Sequence, residues 1–430
     1  MKSLASTKWG AHRNMLIIFY QSYIRSKLLY AIQVYCSASK TILSRLEVVQ
    51  NNAIRIITGL RRSTPIAAIQ FEANLLPHEL IIKKFVLRYY YRITSLPTNH
   101  VLQNLISSQK ATLDECSWET LPHKSPFYIR AIKTCNELNL PLNLDNGNFA
   151  HFIFPPWFDP QSFISTFFIQ TKKSDMGEEQ VQQIFSFLKF NDFKDFVKIY
   201  TDGSKQTNGS VGAAIFVDDI SSTFSWRLDS THSILTAELF AILQAFLFAT
   251  VNLKNQNFVI FTDSLSALMC IKNPDRKGIN RLVTHILRQI YSLLNNNVKV
   301  VLQWIPSHKG IIGNNIVDQV AKNACSYETL TQVQLEYKDA SKLISECLYS
   351  SRHNYWDQIK HSLHFYKAVQ NIKQYEWVSL NNRTFDVLLA RFRSGCVDLN
   401  DFLFNIKKRD SPYCDYCTVI ARIKFTSNEL

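Results

Sequence analysis

Between Phe196 and Cys325 the hydrophobic pattern becomes that of alternating strands and helices, and no other passage constrains the fold so tightly. Short β-prone runs at 196–202, 209–217 and 223–228 follow one another, with Asp218-Asp219 turning the chain before the third. Ser233 can cap a helix over 234–250. A strand at 258–262, helices at 264–272 and 280–295, a strand at 298–304 and a helix from 315 to 325 complete the series. Three meandering strands followed by alternating helices and strands predict an α/β unit, a mixed five-stranded sheet with flanking helices.

Four carboxylates recur in comparable apolar settings within this passage. Asp202 ends the run Ile199-Tyr-Thr and precedes Gly203-Ser204, small residues that let the backbone turn and approach a ligand. Glu238 stands about one turn into the first helix, Asp263 closes the fourth strand, and Asp318 lies about one turn into the last helix. If the first and fourth strands are parallel neighbours, Asp202 and Asp263 share the carboxyl-terminal edge, where open α/β sheets place ligands. Glu238 and Asp318 can close over that edge. Taken singly, each acid also reads as a turn residue, a buried ion pair or a solvated helix carboxylate. His308, in a glycine-flanked loop, reads equally as a surface residue. Taken together, crowded carboxylates repel one another and resist desolvation unless cations sit among them. An all-oxygen set favours Mg²⁺ or Mn²⁺ and makes zinc a poor fit. Two such ions about 4 Å apart would clamp the attacking and leaving oxygens of a phosphodiester hydrolysis.

The same residues closely resemble type-1 ribonuclease H domains. The resemblance rests on Tyr-Thr-Asp-Gly-Ser at 200–204, Thr-Ala-Glu-Leu at 236–239, Thr-Asp-Ser at 262–264, and Trp304-Ile-Pro-Ser-His308-Lys-Gly310 followed by Gly313-Asn314 and Asp318. It spans about residues 196–327 and implies a ribonuclease H-like fold. It also implies Asp202, Glu238, Asp263 and Asp318 as a metal-binding quartet for two ions, and His308 as a loop histidine assisting proton transfer or product departure. Gly203, Ser204, Lys205 and Ser264 become candidate substrate contacts. The substrate implied is an RNA–DNA hybrid whose RNA strand is cut endonucleolytically, its 2′-hydroxyls marking RNA in the minor groove. The sequence departs from the family at Asn315, where many members carry Glu. It departs again at Leu235 and Leu265, where members often carry amides, and at 273–278, too short for a basic protrusion.

Charge adds a second theme. The net +14 is uneven: residues 1–110 hold fifteen Lys and Arg against Glu47, Glu72 and Glu79. A basic surface of this kind suits phosphate. Helical patterns at 12–36, 40–57 and 79–93 make residues 1–95 a basic helical bundle. The wording Tyr-Ile-Arg-Ser-Lys-Leu-Leu-Tyr-Ala at 23–31, Gln50-Asn51 and Thr64-Pro65 resembles the thumb-like segment behind the polymerase palm of non-LTR retrotransposon reverse transcriptases. No aspartate precedes Asp114, so the paired metal-binding aspartates of a polymerase are missing and no DNA synthesis is expected.

Residues 96–195, with prolines spread through them, read as a linker with a local helix at 178–188. Residues 328–430 read as a helical tail ending in Cys414-Asp-Tyr-Cys417, which resembles the opening of a retroelement zinc knuckle. Two thiolates do not fill a tetrahedral zinc site, leaving only a remote Cys396 or His to help. The chain thus reads as a fragment of a longer retroelement polypeptide. Nine scattered cysteines and no signal peptide lead us to expect a reducing intracellular setting, nucleus or cytoplasm, and not secretion. The apolar stretch 234–251 carries Glu238 and Gln244, so a buried amphipathic helix is expected there and no membrane partner.

Overall fold

The structure is a computed structural model that describes residues 1–96, 100–111, 125–142, 154–166, 177–253, 256–274, 280–359, 381–394, 397–417 and 419–420. The chain forms two compact units that interleave in sequence. One comprises residues 1–89, 112–140 and 344–430, the other 90–111 and 141–343.

The second unit is built on a mixed sheet of six strands: β1 (Ile164–Ser165), β2 (Val197–Lys205), β3 (Val211–Val217), β4 (Ser222–Leu228), β5 (Phe258–Thr262) and β6 (Val300–Trp304). Their order is β1-β6-β5-β2-β3-β4. The expected count of five is corrected by β1, which comes from the presumed linker and pairs in parallel with β6. Phe154, Phe158 and Phe163 of the same stretch pack on the core, so this part of it is structural. β2, β3 and β4 form an antiparallel meander, and β5 lies parallel to both β2 and β6.

Side-chain alternation along β2 directs neighbouring residues to opposite faces. On one face a Cβ added at Gly203 would come within 2.6 Å of Glu238 N, so the helix Ile234–Asn252 lies directly on the strand there. On the other face the Tyr200 ring meets Gly313 of the helix Ile312–Ala324, and Phe185 of the helix Glu178–Phe187 approaches Tyr200 and Phe261. Three helices begin with capped ends: Ser233 accepts from Thr236 N, Ser264 from Ala267 N, and Asn280 from Val283 N ahead of the helix Arg281–Asn295.

The helix Ile234–Asn252 is long and apolar enough to cross a membrane, and 61% of its most apolar window is buried in the unit. It is not the amphipathic helix expected. Packed between the sheet and the helix Arg281–Asn295, it is apolar around most of its circumference.

In the first unit the helix Lys40–Thr58 starts at a Ser39 cap and stops at Gly59, whose φ of +69° only glycine adopts without cost. The single helix expected over 12–36 is instead broken. Arg13–Phe19 passes into a π-helical turn at Tyr20–Arg25, and Ala31 has a left-handed φ of 54°. Ser22 and Ser26 donate back to the carbonyls of Ile18 and Ser22, a local bond that competes with the helical ladder. The core here joins Leu16, Tyr20, Ile54, Ile57 and Ile69 to Ala390 of the helix Arg383–Arg393, and Phe71 stacks on Trp356 with ring centroids 3.9 Å apart.

Candidate metal centre

Parallel pairing of β2 with β5 ends at the Thr201–Thr262 register, so Asp202 and Asp263 follow it side by side. Asp202 does not end its strand, as expected from sequence. β2 continues to Lys205 against β3, because Gly203 is required for the approach of the helix and not for a turn. Glu238, in the second turn of that helix, lies beside both. Ligand oxygens of Asp202, Glu238 and Asp263 all lie within 4.8 Å of one another. Among the described residues this is the one set of His, Cys, Asp or Glu side chains close enough to share a metal ion.

The environment of the three acids is unfavourable for charge. Asp202 and Glu238 are each 6% exposed, and Asp263 is half-buried. Burial, then the charges of Asp263 and Asp318, push the Asp202 carboxyl up to about 7. Burial, then Asp202 and Asp263, push Glu238 well above the usual carboxylate range. Glu238 Oε2 is buried and has no hydrogen-bond partner among the described residues. A buried carboxyl oxygen without a donor, facing two further carboxyls, holds a proton when no metal is bound and fits a divalent cation when one is.

The surrounding side chains hold the edge of this cluster. Asn314 Nδ2 donates to Asp263 Oδ2 at 3.3 Å, and Trp304 Nε1 donates to the Asp263 carbonyl at 3.2 Å. The Asn314 Oδ1 is buried without a partner among the described residues. Asp318 stands outside the three-acid group. Its helix begins at Ile312, three residues earlier than expected, and its Oδ2 accepts from Lys322 Nζ at 2.6 Å. Its charge nevertheless reaches Asp202 and Glu238.

The remaining candidates are spread around the same edge. His308 is exposed, with a left-handed φ of 56°, in the loop between β6 and the helix Ile312–Ala324. Ser204 and Lys205 lie at the end of β2, half-buried; Lys205 Nζ donates to the carbonyls of Ser230 and His232 at 2.8 and 2.6 Å. Its ammonium therefore ties down the loop after β4. Ser264 caps its helix and follows Asp263 directly. Of the departures noted above, the loop 273–278 lies mostly outside the described residues, as does Cys396. Sequence reading missed Asn314 as a carboxylate partner, although an amide one turn before Asp318 was a usable signal.

Residues 194–326, about a third of the chain, match the family model described as RNase H. The mixed sheet with flanking helices is the α/β ribonuclease H-like fold, and the matched span contains all the acids described here.

Proposed function

We propose that this protein is a metal-dependent ribonuclease H, an endonuclease that hydrolyses the RNA strand of RNA–DNA hybrids. One observation carries the reading: Asp202, Glu238 and Asp263 converge within 4.8 Å while Glu238 Oε2 has no donor among the described residues. In this reading Asp202, Glu238 and Asp263 hold Mg²⁺ or Mn²⁺, Asn314 keeps the Asp263 carboxylate oriented, and Asp318 is drawn from Lys322 to complete a site for two ions. Bound divalent ions supply Lewis-acid stabilisation of the developing charge and a more acidic water. In this reading His308, exposed on its loop, assists proton transfer or product departure. Ser204 and Ser264 border the cluster and would meet the hybrid's backbone, whereas Gly203, buried under the helix Ile234–Asn252, and Lys205, which holds the loop after β4, would act through what they position.

The basic amino-terminal bundle is proposed as a nucleic-acid-holding remnant of a retroelement polypeptide, supported by its fifteen cationic residues against three acids over 1–110. Purified protein with Mg²⁺ is expected to cut a labelled RNA–DNA hybrid, and Asp202→Asn to reduce cutting to background with the fold intact. An unchanged rate in that variant would end the assignment. The Lys322–Asp318 bond favours a second reading, a domain that binds hybrids without cutting them. Salt-sensitive hybrid binding with no metal-dependent product would select it.

A further inference from the structure

Beyond residue 326 the chain continues along the sheet. Leu330 bridges Arg227 of β4 in parallel register, Thr331 N donates to the Arg227 carbonyl at 2.7 Å, and the Ser225 and Tyr327 hydroxyls lie 3.0 Å apart. Two buried acids follow, each set against the start of a different helix. Glu336 accepts from Arg281 N and Leu282 N at 3.2 and 3.3 Å, at the head of the helix Arg281–Asn295. Asp339, 3% exposed, accepts from Ser233 N at 3.1 Å and from the Thr236 hydroxyl at 2.6 Å, at the head of the helix that carries Glu238. His232 Nδ1 faces the same Asp339 oxygen at 3.6 Å.

We infer that Asp339, thirteen residues beyond the matched span, is a positioning residue for the metal centre, fixing the first turn of the helix from which Glu238 projects. The opening turn is the part of a helix that frays, because its N–H groups have no partner within the helix. Here it is held from two sides. The β2 backbone at Gly203 bears directly on Glu238 N, and Asp339 binds Ser233 and Thr236 two to five residues before Glu238. A carboxylate accepting charge-assisted bonds at a helix amino terminus is a strong anchor. Releasing it would let the Glu238 carboxylate drift from Asp202 and Asp263. Glu336 supplies a built-in control, since its helix carries none of the three acids.

The inference rests on the metal-centre reading, and the test separates the two. Mn²⁺ binding to the full chain is followed by loss of the free-Mn²⁺ electron paramagnetic resonance signal, alongside hybrid cleavage at varied hybrid concentration. Asp339→Ala is expected to weaken Mn²⁺ binding about tenfold, the low end for outer-shell partners of metal ligands, with KM for hybrid within about twofold. Asp339→Asn, which keeps an acceptor oxygen, should weaken it about threefold, and Glu336→Gln less than about twofold. Should the alanine variant fail to fold, the asparagine and Glu336→Gln pair decides. Wild-type protein that binds Mn²⁺ while the Asp339 variants shift no further than Glu336→Gln would overturn the inference alone. Wild-type protein that binds no Mn²⁺ would overturn the metal-centre reading and the inference with it.

Discussion

Each unit buries acidic side chains, and the two solutions are opposite. In the unit containing the amino terminus, Glu72 is 1% exposed and its Oε1 receives Arg13 Nη1 at 3.4 Å and Arg393 Nη1 at 3.1 Å. Asp386 nearby accepts from Arg13 N at 3.2 Å. In the sheet unit, Glu238 is nearly as buried, but its neighbours are two more carboxylates and one of its oxygens has no donor among the described residues. A buried acid ringed by guanidinium groups is part of what holds a core together. A buried acid ringed by acids costs the folded state stability until a cation arrives, and such a cost persists where it serves chemistry.

The contrast breaks most sharply on charge removal. Glu72→Gln leaves two guanidinium groups without their shared anion and is expected to destabilise its unit by about 3–5 kcal/mol in urea unfolding. Glu238→Gln is expected to do the reverse without metal, raising the melting temperature at pH 8 and much less at pH 5, close to the unfolded carboxyl's ordinary value of 4.5, while abolishing cleavage. Equal losses of stability in both variants would erase the distinction.

A pH series sharpens it. The folded protein holds a proton on Asp202 up to about pH 7, whereas the unfolded chain releases it near the ordinary value of 3.8. Between those values the folded state binds more protons, so metal-free stability should fall as pH rises, by up to about 4 kcal/mol from this group. Mn²⁺ added at pH 8 should restore it. A flat urea midpoint from pH 4 to 8 would contradict the repulsion.

The smallest effect concerns Asp318, which shares features of both solutions. Its partner Lys322 is half exposed, so their ion pair is worth about 1 kcal/mol or less. Lys322→Ala should therefore change cleavage by no more than about fivefold, upward if Asp318 must leave the lysine to serve the site. A fall in rate would place the ammonium on the substrate instead.

The α/β unit was legible because its strands and helices are long enough to carry a period. From β2 to the helix ending at Ala324, every element lies within a few residues of its expected place. The convergence of Asp202 with Asp263 followed from one assumption about strand order, and Glu238 from helical reach. What escaped was set by long-range contacts that leave no local mark. β1 has two residues, too few for any alternation, and exists because β6 offers it an edge. Asp339 sits in the stretch read only as a helical tail. Its partners Ser233 and Thr236 lie more than a hundred positions earlier. The break at Ala31 was hidden by an apolar pattern that suited a continuous helix.

The salt-linked core around Glu72 also bears on the order in which the molecule can assemble. Arg393 lies 321 positions after the acid it neutralises, and Arg383 donates to the carbonyls of Ile56 and Ile57 from a similar remove. During synthesis the first-made helices must therefore wait, with their cationic partners still untranslated, until the sheet unit has already emerged from the ribosome. Contacts so distant in sequence close slowly. A nascent chain halted before residue 383 would carry a completed sheet unit and a first unit that still lacks Arg393 beside its buried glutamate.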